Sequence, residues 1–526
     1  MTQLTDMNTR DIADAIRLGC RTMSSIFNAD DDGRPFFASQ AWPNPRLGFS
    51  RVHCESHVPG RHLMALLHAE EVLGVDVREA VEKHRKAAFF SFGGPLPLPL
   101  NREAIGGRPV LFCPHNVREG IHALYALVKY RKDGEARDLA ERSIECVLRF
   151  WNPETDWRRD TMKTEYGITF FPSATFVTGL GRALGPLAKY HAATGSERAL
   201  RLAVLLRDKL EKELLEADIT DSKSLSSHVH SNTCCLSSLA QWAAHAGDAS
   251  LMERVKAFYD RTLWLMRDEI GWSPESIPQT HLGESDHGEG NNSGDILETA
   301  LILGRAGFPG CYGDAERILR CHLLPSQLRD VSFIRQPENP LGEDGLRDLA
   351  DRHRGAWGFP APYGHRSIGK GRGGEVSFNM DIVGGVTNSL CEAYVETVRG
   401  DTTGLHVNML FDHEGPDARV GSPYGGEALR IEVKRAAPLW VRIPSWADRE
   451  ALRVEPADLG HHWSGAHLFF PGVPAGATVR IRFPMTERRI VLTRHHVRPI
   501  RVDLRGDEVK AMDCFDADWT FFPAIG

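Results

Sequence analysis

Through the first four hundred residues, apolar positions recur at helical spacing in blocks, and a short polar turn containing glycine breaks each block from the next. Ile121, Leu124, Leu127 and Val128 form one such stripe, which Tyr130-Arg131-Lys132-Asp133-Gly134-Glu135 ends before Leu139 opens another. Tyr190-His191-Ala192-Ala193-Thr194-Gly195-Ser196 does the same ahead of Leu200 and Val204, and similar turns stand at Gly74, Gly247, Gly313 and Gly400. Glycine there can take the left-handed conformation that caps a helix and reverses the chain. The pattern predicts six antiparallel helical hairpins, longer than tetratricopeptide units, arranged as a closed toroid of six inner and six outer helices. An open superhelix has the same local signature. A polar, Gly- and Pro-rich insertion between Ser326 and Phe378 widens the last interval.

After Gly404 the period changes. Leu405-His406-Val407-Asn408-Met409 and Leu439-Trp440-Val441-Arg442-Ile443 read as strands, and Ala477-Thr478-Val479-Arg480-Ile481-Arg482-Phe483 alternates strictly. Pro423, Gly425, Pro444, Pro471 and Pro484 punctuate them. A single sheet of this length would leave one apolar face uncovered, so a sandwich is expected. The predicted fold is an (α/α)6 helical toroid over residues 1–403, followed by a C-terminal antiparallel β-sandwich over 404–526, with no linker and the two packed together.

Composition narrows the partners. The chain has 526 residues, 42% of them hydrophobic, and a formal charge of −7. Its Lys and Arg are scattered, so no nucleic-acid partner is expected. There is no uninterrupted apolar run long enough for a membrane span. Met1 to Leu18 carries Asp6, Arg10, Asp11 and Asp14 and no secretory apolar core, which reads as cytoplasmic. Ten dispersed cysteines without a Cys-x-x-Cys pair read as buried free thiols. Assembly as a homo-oligomer is left open.

The chemistry concentrates between His281 and Glu298, where five carboxylates (Glu284, Asp286, Glu289, Asp295, Glu298) and two imidazoles (His281, His287) share a glycine-rich segment ahead of the apolar run Ala300–Leu303. Residue by residue, plainer readings compete. Asp295-Ile296-Leu297-Glu298 fits a capping box, and Asp286 and Glu289 read as solvated loop charges. His281, Glu284 and His287 stand at intervals of three, but the glycines oppose the helix that would align them on a metal. His228 and His230 are either core residues or sugar-facing imidazoles ahead of an apolar helix, and His53, His57 and His62 can line the same opening. Trp357, Tyr363 and His365 in the insertion offer rings for stacking on sugars, or simply pin a long loop. Arg118 and Arg366 read as surface ion-pair residues ahead of carboxylate binders.

A helical toroid followed by a β-sandwich with Leu439-Trp440-Val441-Arg442-Ile443-Pro444-Ser445-Trp446-Ala447 resembles the β-L-arabinofuranosidase group, glycoside hydrolase family 127. Gly404-Leu405-His406-Val407-Asn408 is similar to that family's Gly-Leu-Tyr-Val-Asn strand, and Ala475-Gly476-Ala477-Thr478-Val479 with Phe483-Pro484-Met485 to its Gly-Asp-Thr-Val and Leu-Pro-Met pieces. Phe112-Cys113-Pro114-His115-Asn116-Val117-Arg118-Glu119 resembles a Tyr-Cys-x-x-His-x-x-Glu helix start, with Asn116 at the histidine position and His115 displaced by one. His230 is similar to another sugar-facing histidine.

The resemblance implies that Glu284, in Leu282-Gly283-Glu284, is the general acid, and that Glu298-Thr299-Ala300 stands where the family has Glu-Thr-Cys. The family's zinc-bound cysteine nucleophile and its companion map to Gly384-Gly385 in Gly384-Gly385-Val386-Thr387-Asn388, so all three thiolates are missing. One carboxylate does not hold a zinc that wants about four ligands, and glycine cannot attack an anomeric carbon. The expectation is therefore a glycoside hydrolase acting on a small glycoside or oligosaccharide without metal or other cofactor. Glu284 is the acid, Glu298 or Asp381 the second catalytic group, and His115, Asn116, His228, His230, His281, His287, Trp357, Tyr363 and His365 bind substrate. Two alternatives remain: a uronate lyase or sugar epimerase using His230, His287 or Tyr363, and a non-catalytic sugar-binding relative.

Overall fold

The computed structural model describes residues 2–171, 175–217, 225–277, 285–369 and 374–526 of the chain. Its α-helices are α1 (Ile12–Ser25), α2 (Val58–Leu73), α3 (Arg78–Ser91), α4 (Asn116–Ala126), α5 (Gly134–Phe150), α6 (Arg159–Tyr166), α7 (Leu184–Thr194), α8 (Glu197–Leu210), α9 (Val229–Ala246), α10 (Ala249–Asp260), α11 (Gly290–Arg305), α12 (Gly310–Ile318), α13 (Leu349–His353) and α14 (Met380–Thr397). Helices α2, α4, α7, α9, α11 and α14 each pack against the next, and α14 returns to α2, so the inner ring is closed. Outside it lie α3, α5, α8, α10, α12 and, against α14, α1.

Burial follows from that arrangement. Inner α4 buries every residue from Asn116 to Ala126, as a helix with neighbours on all sides must. Outer α5 buries a single stripe, Ala136, Leu139, Ala140, Ser143, Ile144 and Val147. No helix among the described residues is long and apolar enough to cross a membrane.

Gly74, Gly195 and Gly247 are left-handed caps with φ of 64°, 69° and 66°, and Asp133, Ser196 and Asp248 cap the outer helices that follow. The other three expected turns fall elsewhere. At the second hairpin the left-handed residue is Lys132, with φ of 55°, and Gly134 is already inside α5. Gly307, with φ of 103°, makes the fifth turn while Gly313 sits within α12. Gly400 lies in a β-strand, Val398–Asp401, and the sixth pair is made by α14 with the N-terminal α1.

The sandwich is two five-stranded sheets. One orders Val398–Asp401, Gly404–Val407, Ala437–Arg442, His467–Val473 and His462–Ser464; the other orders His413–Glu414, Ala418–Gly421, Leu429–Val433, Thr478–Arg482 and Arg453–Glu455. All pairings are antiparallel except Gly404–Val407 with Ala437–Arg442, which run parallel. Alternate residues Leu429, Ile431 and Val433 meet Leu439, Val441, Leu468, Phe470, Val479 and Ile481 in its core. Residues 404–526 are not one sandwich, however. Glu487–Leu492, Ile500–Arg505 and Glu508–Met512 form a separate three-stranded sheet, whose Leu492, Ile500, Val502 and Leu504 join Leu4, Ile270, Trp272 and Tyr363 in a core shared with the helical body.

Candidate active site

The inner helices all begin on one side of the ring, and their first turns carry the polar residues. Asp381 is the second residue of α14, Asn291 of α11 and His230 of α9. Arg61 follows the start of α2, His57 precedes it, Asn116, Arg118 and Glu119 open α4, and Arg182 lies in the 3-10 turn ahead of α7. The partial positive charge of helix N-termini favours carboxylates at such a place. Gly60 lets α2 approach α4 closely: a Cβ there would lie 1.9 Å from the Glu119 carbonyl oxygen.

Two carboxyl groups face each other across Asn291. Its Nδ2 donates to Glu289 Oε1 at 3.2 Å and to Asp381 Oδ2 at 3.4 Å, so those two oxygens are at most 6.6 Å apart. Their environments differ. Burial, reinforced by the charges of Glu275 and Asp381, pushes Glu289 up to about 8. Burial also opposes ionisation of Asp381, but His57 and Arg61 outweigh it and hold the group well below the ordinary carboxylate range. His57 donates from Nε2 to Asp381 Oδ2 at 3.2 Å and from Nδ1 to Asn116 Oδ1 at 2.8 Å, while Asn116 Nδ2 is anchored on the Val52 carbonyl. Asp381 Oδ1 carries no hydrogen bond among the described residues.

Around the pair, His53 and His115 stack at 5.4 Å, with Phe37 stacked on the outer face of His53 at 4.0 Å. Beneath it, Glu119 is fully buried, with Arg118 Nη1 at 3.0 Å and Arg61 Nη2 at 3.2 Å from Oε1. Burial opposes its charge, and His57, Arg118, Arg182 and Arg61 overcome this to keep it ionised.

The sequence-predicted residues divide into those brought to this place and those kept from it. Asp381, His115, Asn116, His228 and His230 converge here, with His228 Nε2 3.9 Å from Glu289 Oε2. Glu284 and His281 lie outside the described residues. Glu298 stands two turns down α11, hydrogen-bonded by Ser389 Oγ, Asn388 Nδ2 and Ser237 Oγ, on an axial cavity offering water about 30 Å³. That is room for one or two waters and not for a sugar. The capping-box reading of Asp295 and Glu298 is overturned, since α11 begins at Gly290 and Asp295 turns inward to Thr233 Oγ1 and His230 Nε2, at 3.0 and 3.4 Å.

His287 stacks on Phe359 at 5.0 Å near Glu275. Trp357 is 0% exposed and donates to the Leu323 carbonyl, so neither ring face is open to a sugar. Tyr363 is equally buried, bonded to Asp286 and to the Ile368 amide. His365 is buried between Phe378 and Phe521. His62 bonds His84 and the Met380 carbonyl inside the helical core. Arg366 pairs with Asp518 near the surface, but Arg118, expected there too, is buried in the site.

The site residues that sequence reasoning missed are Glu289, Asn291, Arg61, Arg182 and Glu119. Glu119 closes the motif that begins at Phe112; Glu289 and Asn291 lie in the polar segment from His281 to Glu298, and nothing local marks Arg61 or Arg182.

Among the described residues, three sets of donors approach within 4.8 Å of one another: His53, His57 and His115; His228, His230 and Glu289; His230, Cys234 and Asp295. None fits a divalent cation. Guanidinium nitrogens of Arg61 and Arg182 stand 3.0 Å from the two ring nitrogens of His230, and His57 spends both nitrogens on Asn116 and Asp381. Around Glu298 the neighbours are hydroxyl and amide groups without a thiolate, so the family's zinc set is not reproduced.

No protein-family model and no curated protein sequence matches the chain. Among solved structures, a GH127 β-L-arabinofuranosidase from Geobacillus stearothermophilus T6 is similar over 96% of this chain and 86% of its own, with a TM-score of 0.57 at 13% identity. A second GH127 β-arabinofuranosidase is similar over 95% of this chain and 78% of its own, with a TM-score of 0.55 at 11% identity. The chain thus has the fold of these GH127 β-arabinofuranosidases, a closed helical toroid continued by β-sheets.

Proposed function

We propose that the chain hydrolyses the glycosidic bond of a small glycoside, with Glu289 as general acid and Asp381 as the second carboxylate. The observation that carries this is the Asn291 bridge between a carboxyl group held protonated and a carboxylate held ionised. Paired carboxyl groups whose surroundings drive their protonation apart are the arrangement glycoside cleavage needs. Glu289, buried and neutral at pH 7, donates to the leaving oxygen. Asp381 Oδ2 is fixed by His57 and Asn291 while Oδ1 is free to attack the anomeric carbon.

A separation of at most 6.6 Å lies at the lower edge of the roughly 6.5–9.5 Å that accommodates an intervening water in inverting enzymes. It favours a covalent glycosyl-Asp381 intermediate and retention. In the second half-reaction Glu289, now ionised, takes the proton of the attacking water. Glu284 yields its expected role to Glu289 in this reading, and Glu298, two turns below, serves the axial cavity.

The test is a screen of aryl glycosides and short oligosaccharides with the wild-type chain, followed by Glu289→Gln and Asp381→Asn on whichever substrate turns over. Both variants should lose at least about a hundredfold in kcat, and the first-formed product should keep the anomeric configuration by NMR. Full turnover by Asp381→Asn would end this assignment.

A further inference from the structure

Below the Glu289–Asp381 pair lie three guanidiniums, of which only Arg61 has a part in cleavage, through its 3.6 Å approach to Asp381. Arg61, Arg118 and Arg182 come from three separate elements, and each is at most 9% exposed. All three reach toward one oxygen, Glu119 Oε1, at 3.2, 3.0 and 3.9 Å. The Nε of every one of them lacks a hydrogen-bond partner among the described residues. Arg61 and Arg182 each also press an Nη2 against a ring nitrogen of His230, at 3.0 Å on both sides. A neutral imidazole has one acceptor nitrogen, and burial beside Arg182, Arg61 and Arg118 keeps His230 neutral. One of those guanidinium N–H groups therefore faces another N–H.

Glu119, Asp381 and Asp295 stand against the three arginines and His57. What is in excess is donors. Each guanidinium has five N–H groups and no acceptor, and unmet donors cost most where water is scarce. The group that relieves the excess is an acceptor with two oxygens in one plane, which an arginine fork fits bidentately. The space bears on this: Arg61 and Arg118, though not Arg182, line the axial cavity with Asn291 and Lys189, opposite the carboxyl groups of Asp295 and Glu298, and its roughly 30 Å³ admits a carboxylate in place of water while excluding a sugar ring. Asn291 joins that cavity to the carboxyl pair above.

We propose that Arg61, Arg118 and Arg182 form a carboxylate-recognition subsite, so that the glycoside taken here ends in a uronosyl unit whose ring lies over Glu289 and Asp381 and whose carboxylate descends to the guanidiniums. This rests on the hydrolase reading for its reaction, but not for its binding. Arg118 and Arg182 act on substrate binding, while Arg61 also steadies Asp381.

Two measurements separate the claims. In the first, D-glucuronate, D-galacturonate, D-mannuronate and L-iduronate, their neutral parent sugars and sugar 6-phosphates are titrated calorimetrically into Glu289→Gln. A uronate should bind at least about tenfold more tightly than its neutral parent, and Arg182→Lys and Arg118→Lys, each added to Glu289→Gln, should remove that preference while their melting temperatures show an intact fold. In the second, wild-type kcat/KM is compared on aryl uronides, their methyl esters and the neutral glycosides, and the free uronide should lead by a similar factor. Neutral sugars that bind and turn over as well as uronides, or 6-phosphates that bind better, overturn the subsite while leaving hydrolysis standing. Uronate binding that depends on Arg182, with no glycoside cleaved, upholds the subsite and overturns the hydrolase.

Discussion

Glu289 sits between Gly288 and Gly290, and that setting makes it read as a solvated loop charge. The glycines are there for a different reason. A Cβ on Gly288 would lie 2.4 Å from Trp272 Nε1 and 2.6 Å from the Pro360 carbonyl, and one on Gly290 would lie 3.3 Å from Ile382 and Val386. They mark close packing, and close packing desolvates the carboxyl between them. Local sequence cannot distinguish a glycine kept for mobility from one kept for contact, so Glu289 was hidden while its neighbour Asp286 was misread the same way. The desolvation has two measurable consequences. Because the acid must be protonated, kcat/KM should hold below pH 8 and fall as pH rises through about 8; a pH profile that stays flat to pH 9.5 excludes Glu289 as the acid. The second concerns stability. Glu289 is raised in the folded state from an ordinary 4.5 to about 8, so its contribution is fully present below pH 4.5 and is lost as pH rises through 8. Glu289→Gln should therefore stabilise the protein at pH 8 by on the order of a few kcal/mol and hardly at all at pH 5. Thermal melts of both proteins at the two pH values check it.

At the level of elements, the period of the apolar residues revealed the helices, the strands and the change between them, because both periods are written along the chain itself. The turns were less legible: Gly134, Gly313 and Gly400 look like caps in sequence, yet Lys132 and Gly307 take the left-handed positions and Val398–Asp401 becomes a strand. Which helix completes the sixth pair depends on a contact between α1 and α14, more than three hundred residues apart, and no local signal records it. The glycines of α14 have a use the sequence could not disclose. A Cβ on Gly385 would lie 2.1 Å from Asn291 Oδ1 and 2.6 Å from Arg61 Nη1, so the helix is bare where those side chains cross it to reach Asp381. Both obstructing atoms are at the ends of side chains that can swing away. Gly385→Ala should thus leave the fold, measured by circular dichroism, near wild type, while displacing Asn291 and Arg61 and lowering kcat by about tenfold or more. An alanine variant with unchanged kcat would show that the Asn291 bridge is not needed.

Across the whole molecule, the last sheet acts on the site through a buried lock. His496 lies between two carboxylates of the helical body, with Nε2 3.0 Å from Asp268 Oδ2 and Nδ1 3.5 Å from Asp286 Oδ1. Asp286 also accepts from Tyr363 Oη and the Val497 amide, and it stands three residues before Glu289. The sheet formed by Glu487–Leu492, Ile500–Arg505 and Glu508–Met512 is therefore tied to the strand of chain that delivers the proposed acid. Burial works against a charge on His496, but the hydrogen bond to Asp268 and the nearby charges of Asp268 and Asp286 prevail and raise it to about 9. A histidine raised from 6.5 gives stability that is fully present below pH 6.5 and is lost as pH rises through 9. The size of the shift corresponds to on the order of 3 kcal/mol. Replacement by glutamine keeps a side chain of similar reach without the charge, and leaves Asp268 and Asp286 facing each other's field with no cation between them. His496→Gln should lower the melting temperature at pH 6.5 by several degrees and lower kcat through the segment from Asp286 to Glu289, with the difference in melting temperature shrinking toward pH 9.5. Equal melting curves for the two proteins at pH 6.5 would mean that the terminal sheet is held by its apolar core alone, through Ile500, Val502 and Leu504 against Ile270 and Trp272.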